Sequence, residues 1–285
     1  MSYSIVVRAP ATSANLGSGF DCLGMALDLW NEVHAMPVPE AEPGNLLQRA
    51  ADAAFAAAGA PSQPFAFRAR NAIPQGRGLG SSATAIVCGL LIANRCLGDP
   101  LSMAQLLEVA TRLEGHPDNV VPCLLGGLQV ATLNAAGRVV HARVALARPL
   151  HAVVFVPEQH ILTTDARALL PAAVPLDDAR FNVARASLLV AALSSGELSL
   201  LREATRDRLH QPYRLSLFPA GSTLFDAAMQ AGALAVYTSG AGPAVLALVS
   251  DESSAESVAV AFSNVRLPGV TLRLGLSDRG AHVVD

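Results

Sequence analysis

The sequence predicts an α+β fold in two domains. The chain has 285 residues, which is long for one domain and sufficient for two. Strand-like and helix-like segments are mixed without strict β-α alternation, and this mixture favours an α+β fold over a parallel α/β sheet. The boundary between two such series falls near Arg148 and Pro149. We therefore expect an N-terminal domain over residues 1–148 and a C-terminal domain over residues 149–285.

The composition limits the classes of function. Apolar residues make up 52% of the chain and charged residues 15%, so it can bury a large core and is not disordered. The net charge of −3 argues against a general binder of nucleic acid or of anionic membranes. No apolar run approaches the ~20 residues that cross a bilayer. Residues 1–3 leave no room for a signal peptide before the first strand-like segment, so we expect a cytoplasmic protein.

The first half of the chain reads as short strands and helices separated by polar loops. Residues 4–9 and 25–36 have strand character, and residues 10–24 between them form a polar stretch that predicts a long functional loop. Residues 46–58 have helical periodicity and stop at a Gly-Ala-Pro sequence. The same half also predicts a strand at 65–70, a helix at 102–113 capped by Ser102 and Gln105, and a hairpin of strands 127–133 and 138–144.

A second series of strands and helices follows Pro149. It begins with a strand at residues 152–156. Apolar periodicity and flanking turn residues define the remaining segments. They are helices at 164–170, 177–193, 197–205, 222–230 and 254–262, and strands at 233–237, 245–249 and 270–276.

One glycine-rich loop leads into a helix that is apolar on every face. The loop contains Gly76, Gly78 and Gly80 and is followed by Ser81 and Ser82; residues 83–97 are almost entirely apolar, which is typical of a buried helix. The first N–H groups of a helix lack partners, and the helix dipole favours an anion there. Glycine lets a phosphate approach the backbone. The stretch therefore indicates a phosphate site, or else a loop that only caps a core helix.

Two common nucleotide-binding motifs do not match this loop. The P-loop requires a Lys after its last Gly, whereas this chain has no Lys and its 20 basic residues are all Arg. The dinucleotide fingerprint requires G-x-G-x-x-G directly after a strand. Here the glycines are spaced G-x-G-x-G and follow Pro74, which is awkward inside a strand.

Four stretches instead carry a resemblance to the GHMP kinases, the family of galactokinase, homoserine kinase, mevalonate kinase and phosphomevalonate kinase. The pattern P-x-x-x-G-L-G-S-S-A at residues 74–83 resembles the ATP loop of that family. Within the family, three further stretches in the same order are similar to the homoserine kinases. They are PATSANLGSGFDCLG at 10–24, EGHPDNVVPCLLGG at 114–127 and TSGAGPA at 238–244.

The resemblance implies a fold and an activity. The expected fold has an N-terminal domain like domain 2 of ribosomal protein S5, with a left-handed β-α-β crossover, and a ferredoxin-like C-terminal domain. The expected reaction moves the γ-phosphate of ATP, with Mg²⁺, to the side-chain hydroxyl of L-homoserine on the route to threonine, and homodimers are common in the family. The alternatives are a GHMP kinase for mevalonate or a cytidyl-linked polyol, and a nucleotide-binding regulator that has lost catalysis.

The resemblance also implies which residues hold ATP and the metal. One metal ligand is matched by Ser82. The other is a Glu of the following helix, where the spacing to Asp118 and Asn119 favours Glu108, leaving Glu114 as a nearby helper or a solvated helix residue. The residues matched to the ATP loop are Pro74, Gly76, Arg77, Gly78, Leu79, Gly80, Ser81, Ser82 and Ala83.

The amino-acid substrate is expected to meet charged and polar groups from several stretches. Asp21 is suited to an ammonium group and Asn15 both donates and accepts hydrogen bonds, although both residue types also shape Asx turns. Arg167 and Arg214 match positions that pair with a carboxylate, as a guanidinium does bidentately. His116, Asn119 and Gly240 complete the expected substrate contacts, and Gly240 is equally explained by a tight turn.

The catalytic residues are expected in the Asp118-Asn119 pair. In the homoserine kinases the Asn of this pair faces the substrate hydroxyl, so we expect Asn119 to position that hydroxyl. An amide is not a general base, but phosphoryl transfer has a loose transition state that alignment and charge neutralisation can stabilise. Asp118 remains the rival candidate for a base.

Overall fold

The computed structural model describes residues 4–284 of the chain. Residues 1–3, on which the signal-peptide expectation depends, and Asp285 lie outside the described residues. Over residues 4–284 no helix combines the length and the apolar character needed to cross a membrane.

The first half of the chain forms strands backed by four helices. The strands are β1 (Ile5–Ala14), β2 (Leu23–Pro37), β3 (Phe65–Arg70), β4 (Leu128–Leu133) and β5 (Val139–Val144), and the helices are α1 (Leu46–Ala57), α2 (Ser81–Cys96), α3 (Met103–Glu114) and α4 (Pro117–Leu125). The predicted capping box of α3 is present: the Ser102 side chain accepts from the Gln105 amide, and the Gln105 side chain accepts from the Ser102 amide.

The second half forms a separate four-stranded sheet with helices. Its strands are β6 (His151–Pro157), β7 (Ala235–Thr238), β8 (Val245–Val249) and β9 (Gly269–Gly275). Its helices are α5 (Thr163–Ala168), α6 (Leu176–Ser195), α7 (Leu201–Ala204), α8 (Gln211–Arg214), α9 (Gly221–Gln230) and α10 (Glu252–Asn264), with short 3₁₀ turns at Leu198–Leu200 and Leu215–Leu217. The strand order β7-β8-β6-β9, counted within this half, is the 2-3-1-4 order of a ferredoxin-like sheet.

The final strand returns to the first half of the chain. β10 (His282–Val284) pairs with β1, so the first sheet has six strands in the order β10-β1-β2-β4-β5, with β3 paired to β2. Both sheets are antiparallel throughout their described pairings. The α+β prediction is confirmed, although the expected division at residue 149 had left β10 in the second domain.

Two elements differ from their predictions because of proline. β1 continues through Pro10 to Ala14, into the stretch expected to be loop, and its register with β2 shifts between Pro10 and Ala11. A proline in a paired strand is tolerated at such an irregularity, because the ladder bond that it cannot make is already lost there. The helix α4 contains Pro122 and was not predicted as a helix; Pro117 occupies its first turn, where proline is favoured.

A continuous apolar core joins the two halves beneath the glycine loop. Leu79 is fully buried in a cluster that also contains Leu23 of β2, Val154 of β6 and Leu246 of β8. The helix α2 is buried in a second cluster against α1 and β1, as its apolar sequence predicts. Since close-packed cores resist deformation, the glycine loop and the second sheet are held in a defined relation.

Candidate active site

A cavity between the two halves collects residues from both. Its walls come from the β1–β2 loop, the glycine loop, the α3–α4 region, the segment around α5, and the β7–β8 turn. The residues expected from the sequence that line it are Asn15, Asp21, Gly76, Gly78, Gly80, Ser81, Ser82, His116, Asp118, Asn119, Arg167, Arg214 and Gly240.

The glycine loop presents its backbone to this cavity. Gly76, Gly78 and Gly80 have φ angles of 63°, 80° and 70°, a left-handed conformation that favours glycine. Gly80 precedes the first turn of α2, and no described side chain caps that helix end by a hydrogen bond. The unsatisfied N–H groups of a sixteen-residue helix therefore face a cavity, which is the arrangement that suits an anion.

Four expected ATP-loop residues do not line the cavity. Leu79 and Ala83 are fully buried in the core, and Pro74 is partly buried. Arg77 points to the second half of the chain, where it donates to the Pro157 carbonyl at 3.0 Å and to the Glu158 carbonyl at 2.7 Å. These contacts fasten the glycine loop to the end of β6.

The glutamate beside the glycine loop is Glu114 rather than the expected Glu108. The Ser82 hydroxyl donates to Glu114 Oε2 at 2.9 Å, and both residues line the cavity, whereas Glu108 is not among its described lining residues. Burial raises the pKa of the Glu114 carboxyl. The two glutamates lie on different faces of α3, because a separation of six residues at ~3.6 residues per turn leaves their side chains roughly 120° apart around the helix axis.

Asp21 and Arg167 form an ion pair across the cavity. Arg167 donates from its two terminal nitrogens to the two oxygens of Asp21, at 2.6 Å and 3.0 Å. Hydrogen bonding to Asp21 raises the pKa of Arg167. Each of the two charged groups expected to bind a substrate therefore neutralises the other in this structure. Both side chains are about one-third exposed, which leaves the pair accessible from the cavity.

Arg214 is a buried guanidinium at the inner end of the cavity. It is 3% exposed, and its NH1 donates to the Gly240 carbonyl at 3.1 Å. Among the described residues its Nε has no hydrogen-bond partner. Burial, and then the positive charge of Arg167, lower the pKa of Arg214 to about 10. An anion that entered the cavity would offset both effects.

The residues around α4 form two hydrogen-bonded pairs. The carboxylate of Asp118 contacts His116 Nδ1 in a short hydrogen bond. Burial alone would lower the pKa of His116, but the bond to Asp118 and the charges of Asp118 and Glu114 raise it overall. The Thr12 hydroxyl donates to Asn119 Oδ1 at 2.7 Å, which orients the amide and leaves its Nδ2 unused by this contact.

The β7–β8 turn closes the cavity against the N-terminal half. Asn15 Nδ2 donates to the Gly240 carbonyl at 2.8 Å, and the Gly240 amide donates to the Ala14 carbonyl at 3.0 Å. The Ser239 hydroxyl donates to the Gly78 carbonyl at 2.7 Å. The turn thereby links the substrate-facing loop and the glycine loop.

Thr12 and Ser239, which contact expected site residues, were not predicted from the sequence, and Glu114 was predicted only as a possible helper beside Glu108. Thr12 lies within residues 10–24, which were predicted to be a loop. In the structure it belongs to β1, and this position brings its hydroxyl to Asn119. Ser239 adjoins the glycines of the turn and is fully buried. Glu114 is the first residue of the EGHPDN stretch, and this position could have favoured it. The spacing to Asp118 and Asn119 favoured Glu108 instead.

The chain matches known families and relatives along most of its length. Residues 45–127 match the GHMP kinases N terminal domain, and residues 189–265 match the GHMP kinases C terminal domain. A homoserine kinase of Moorella thermoacetica is 42% identical over 98% of this chain and 99% of its own length. A homoserine kinase of Gloeobacter violaceus is 45% identical, with 97% of this chain and 98% of the relative covered.

Solved structures give the same result for the fold. A homoserine kinase crystal structure from Cytophaga hutchinsonii superposes with a TM-score of 0.88 at 28% identity, covering 100% of this chain and 98% of that one. An L. major mevalonate kinase, at 15% identity and a TM-score of 0.74 with 94% of each chain covered, shares the fold. The chain therefore belongs to the GHMP kinase family, in its homoserine kinase branch.

Proposed function

We propose that this chain transfers the γ-phosphate of ATP to the side-chain hydroxyl of L-homoserine, giving O-phospho-L-homoserine. The observation that carries the proposal is one cavity with two unlike walls: an uncapped helix N-terminus on one side, and an aspartate with two arginines on the other. A triphosphate suits the first wall and an amino acid suits the second. Relatives named homoserine kinase, at 42% and 45% identity over nearly the whole chain, support the same substrate pair.

The glycine loop and the start of α2 would hold the triphosphate of ATP. Gly78 and Gly80 have no side chain that would keep a phosphate away from the backbone, and backbone N–H groups supply the donors. Ser82 and Glu114 offer the oxygen ligands that Mg²⁺ prefers. When bound, Mg²⁺ neutralises charge on the phosphate oxygens as the phosphoryl group moves.

L-Homoserine would enter by replacing the ion pair between Asp21 and Arg167. Its ammonium group takes the place of the Arg167 guanidinium at Asp21, and its carboxylate meets Arg167 and the buried Arg214. Homoserine is a zwitterion, so it supplies an ammonium group to Asp21 and a carboxylate to Arg167. Neither of these two side chains is then left without an opposite charge. A substrate without an ammonium group lacks the charge that would separate the pair.

The reacting hydroxyl would be aligned by Asn119. Thr12 holds Asn119 Oδ1, so the amide nitrogen is left to donate to the hydroxyl oxygen. That oxygen forms the new bond to the γ-phosphorus, the bond from phosphorus to the departing ADP oxygen breaks, and the hydroxyl proton passes to solvent water. Alignment of reactants contributes about 7–11 kcal/mol in favourable cases. Asp118 stays the rival base, although its carboxylate is engaged by His116.

A coupled assay of ADP release tests the substrate. Homoserine, serine, threonine and mevalonate are compared at equal concentration with ATP and Mg²⁺, and the highest kcat/KM is expected for homoserine. A preference for mevalonate would assign the chain to another alcohol, and no release with any acceptor would support a non-catalytic regulator.

Two substitutions test the catalytic pair. Asn119→Ala is expected to lower kcat more than Asp118→Asn, because alignment of the hydroxyl is lost. If Asp118→Asn abolished turnover and Asn119→Ala barely changed it, Asp118 would be the base and the roles would be reversed.

Assembly as a homodimer is part of the proposal and rests on the family resemblance. Size-exclusion chromatography with light scattering measures the mass of the protein in solution. A mass of twice the 29.4 kDa chain is expected, and a single-chain mass would contradict the dimer.

A further inference from the structure

One buried histidine adjoins the cavity without lining it. His210 is 0% exposed and stands four residues before Arg214, in the HQPYR stretch of which the function above uses only the arginine. It directly precedes the short helix α8. The ring stacks on Phe20 of the β1–β2 loop, with centroids 5.1 Å apart and planes 21° from parallel. A fully buried polar ring needs a partner for each nitrogen.

Both ring nitrogens of His210 have partners, and these partners determine its protonation. Nε2 lies 2.7 Å from the Gly17 carbonyl, which can only accept a hydrogen bond. Nδ1 lies 3.2 Å from Arg214 NH1, which can only donate. The ring therefore carries its proton on Nε2 and presents a lone pair at Nδ1. It is the neutral tautomer that satisfies both contacts.

The charges around His210 are consistent with a neutral ring. Burial lowers the pKa of His210, while the nearby carboxylate of Asp207 opposes that effect. Asp207 Oδ2 is 3.6 Å from Nε2, but its oxygens already accept backbone N–H groups of Leu209, His210 and Gln211. Arg214 adds a positive charge on the opposite side, and Asp21 adds a negative one from the β1–β2 loop. A protonated ring would face Arg214 without an acceptor.

Within residues 4–284, His210 is one of two hydrogen-bond acceptors of the Arg214 head group, and the centroid of the Phe20 ring also lies 5.2 Å from the guanidinium carbon. NH1 is shared between His210 Nδ1 and the Gly240 carbonyl, whereas Nε has no partner in the described chain. Two fixed acceptors on one nitrogen restrict rotation of the planar guanidinium. The same ring holds Gly17, so the position of Arg214 is coupled to the loop that carries Asp21.

We infer that His210 is a positioning residue for the substrate carboxylate: as the Nε2–H tautomer, it ties the Gly17 carbonyl to Arg214 and aims that guanidinium into the cavity. The inference rests on the proposed function, because it takes the carboxylate of the amino-acid substrate as the ligand of Arg214. His210 itself does not touch the substrate. Its effect is confined to the part of the binding energy that comes from the carboxylate.

Two variants separate the contacts of the ring. An Asn amide reaches about as far as Nδ1 and a Gln amide about as far as Nε2, so His210→Asn keeps an acceptor for Arg214, whereas His210→Gln keeps a donor for Gly17. His141→Gln, on the exposed face of β5, is the control substitution. Thermal melting of each variant shows whether it is folded.

The measured quantity is the ratio of the kcat/KM values for two acceptors. Homoserine is compared with 3-aminopropan-1-ol, which has the same hydroxyl and ammonium groups without the carboxylate. For His210→Gln the ratio of kcat/KM, homoserine over the amino alcohol, is expected to fall by about tenfold, with KM for ATP unchanged. His210→Asn is expected to recover most of that ratio, and His141→Gln to leave it unchanged.

The outcomes distinguish the two levels of the proposal. If the wild-type chain releases no ADP with homoserine, the proposed function fails, and the inference about His210 falls with it because its substrate carboxylate is then absent. If the wild-type chain is active and both acceptors lose activity equally in His210→Gln, the residue is structural and the inference is overturned. An unchanged ratio in a folded His210→Gln variant, or a ratio in His210→Asn as low as in His210→Gln, overturns it as well.

Discussion

The two walls of the cavity are built on different physical principles. The wall proposed to bind ATP consists of backbone: glycines at positive φ and the first N–H groups of α2, with no charged side chain needed to define its shape. The wall proposed to bind the acceptor consists of charged side chains that pair with each other, Asp21 with Arg167 and Asp118 with His116. Backbone sites are sensitive to added volume, and side-chain sites are sensitive to changes of charge. This contrast predicts different consequences for substitutions on each wall.

The largest effect is expected from an added methyl group on the backbone wall. A Cβ at Gly78 would collide with the Ser239 carbonyl oxygen of the β7–β8 turn, in addition to the strain of its φ of 80°. Gly78→Ala should lower kcat/KM for ATP by about 100-fold, because a small displacement of the loop misplaces the reacting phosphate. Steady-state kinetics with varied ATP, together with urea unfolding, provide the measurement.

Gly98 supplies the matched control for this substitution. Its φ of 82° is nearly the same, but nothing lies within 4 Å of a Cβ built there. Gly98→Ala should cost only the left-handed strain of about 1–2 kcal/mol in the free energy of unfolding, with ATP kinetics preserved. If the two variants had equal kinetics, the close approach of the loop to Ser239 would be unimportant for ATP.

A smaller effect is expected at the glutamate beside Ser82. Glu114→Gln removes the negative charge but keeps an oxygen that can accept from Ser82. We expect kcat to fall by about 50-fold with the free energy of unfolding nearly unchanged, because charge neutralisation through the metal is weakened and no steric overlap is introduced. Activity is measured against Mg²⁺ concentration, with Glu108→Gln as the matched control. Loss in Glu108→Gln and not in Glu114→Gln would restore the assignment made from sequence spacing.

On the acceptor wall, Arg214→Ala should change the use of one substrate only. Removing a charge-assisted contact to the carboxylate is expected to raise KM for homoserine by about 10- to 100-fold, with KM for ATP nearly unchanged. Arg180→Ala, at an exposed ion pair with Asp177, is the control and should change neither constant. An equal rise in both KM values would contradict the carboxylate role of Arg214.

The smallest effect is expected at the exposed end of the acceptor wall. Asp21→Asn removes the partner of the substrate ammonium, so kcat/KM for homoserine should fall by about tenfold. The hydroxy acid 4-hydroxybutyrate has no ammonium group, and its weak activity should stay constant or rise because Arg167 is freed. Parallel losses for both acceptors would show that Asp21 acts through the loop conformation instead.

Most elements and the principal loops were predictable because they depend on local patterns. The β3 strand (Phe65–Arg70) and β8 (Val245–Val249) have the predicted limits, and the apolar run after Ser82 became the buried helix α2. The proline-containing segments were not predictable in the same way. At Pro10 and Pro122 the local preference against regular structure was overridden by pairing with β2 and by burial of α4.

The residue types needed for the chemistry were evident in the sequence, but their partners were not. The glycines, the hydroxyls and the charged side chains stand in four short stretches, each with a physical reason for its composition. Ser82 donates a hydrogen bond to Glu114 because α3 ends at that residue, next to the glycine loop. The position of this helix end relative to the loop depends on tertiary packing. Likewise, no spacing rule connects Thr12 to Asn119 across 107 positions.

By itself, then, the sequence predicted a backbone site suited to a phosphate and a charged site suited to a small acceptor, since glycine spacing and side-chain chemistry are local properties. Tertiary structure alone decided that Asp21 is paired with Arg167, that Glu114 stands at the loop, and that His210 supports Arg214. Those contacts join distant segments, and their geometry depends on the packing of both domains against the apolar cluster that they share.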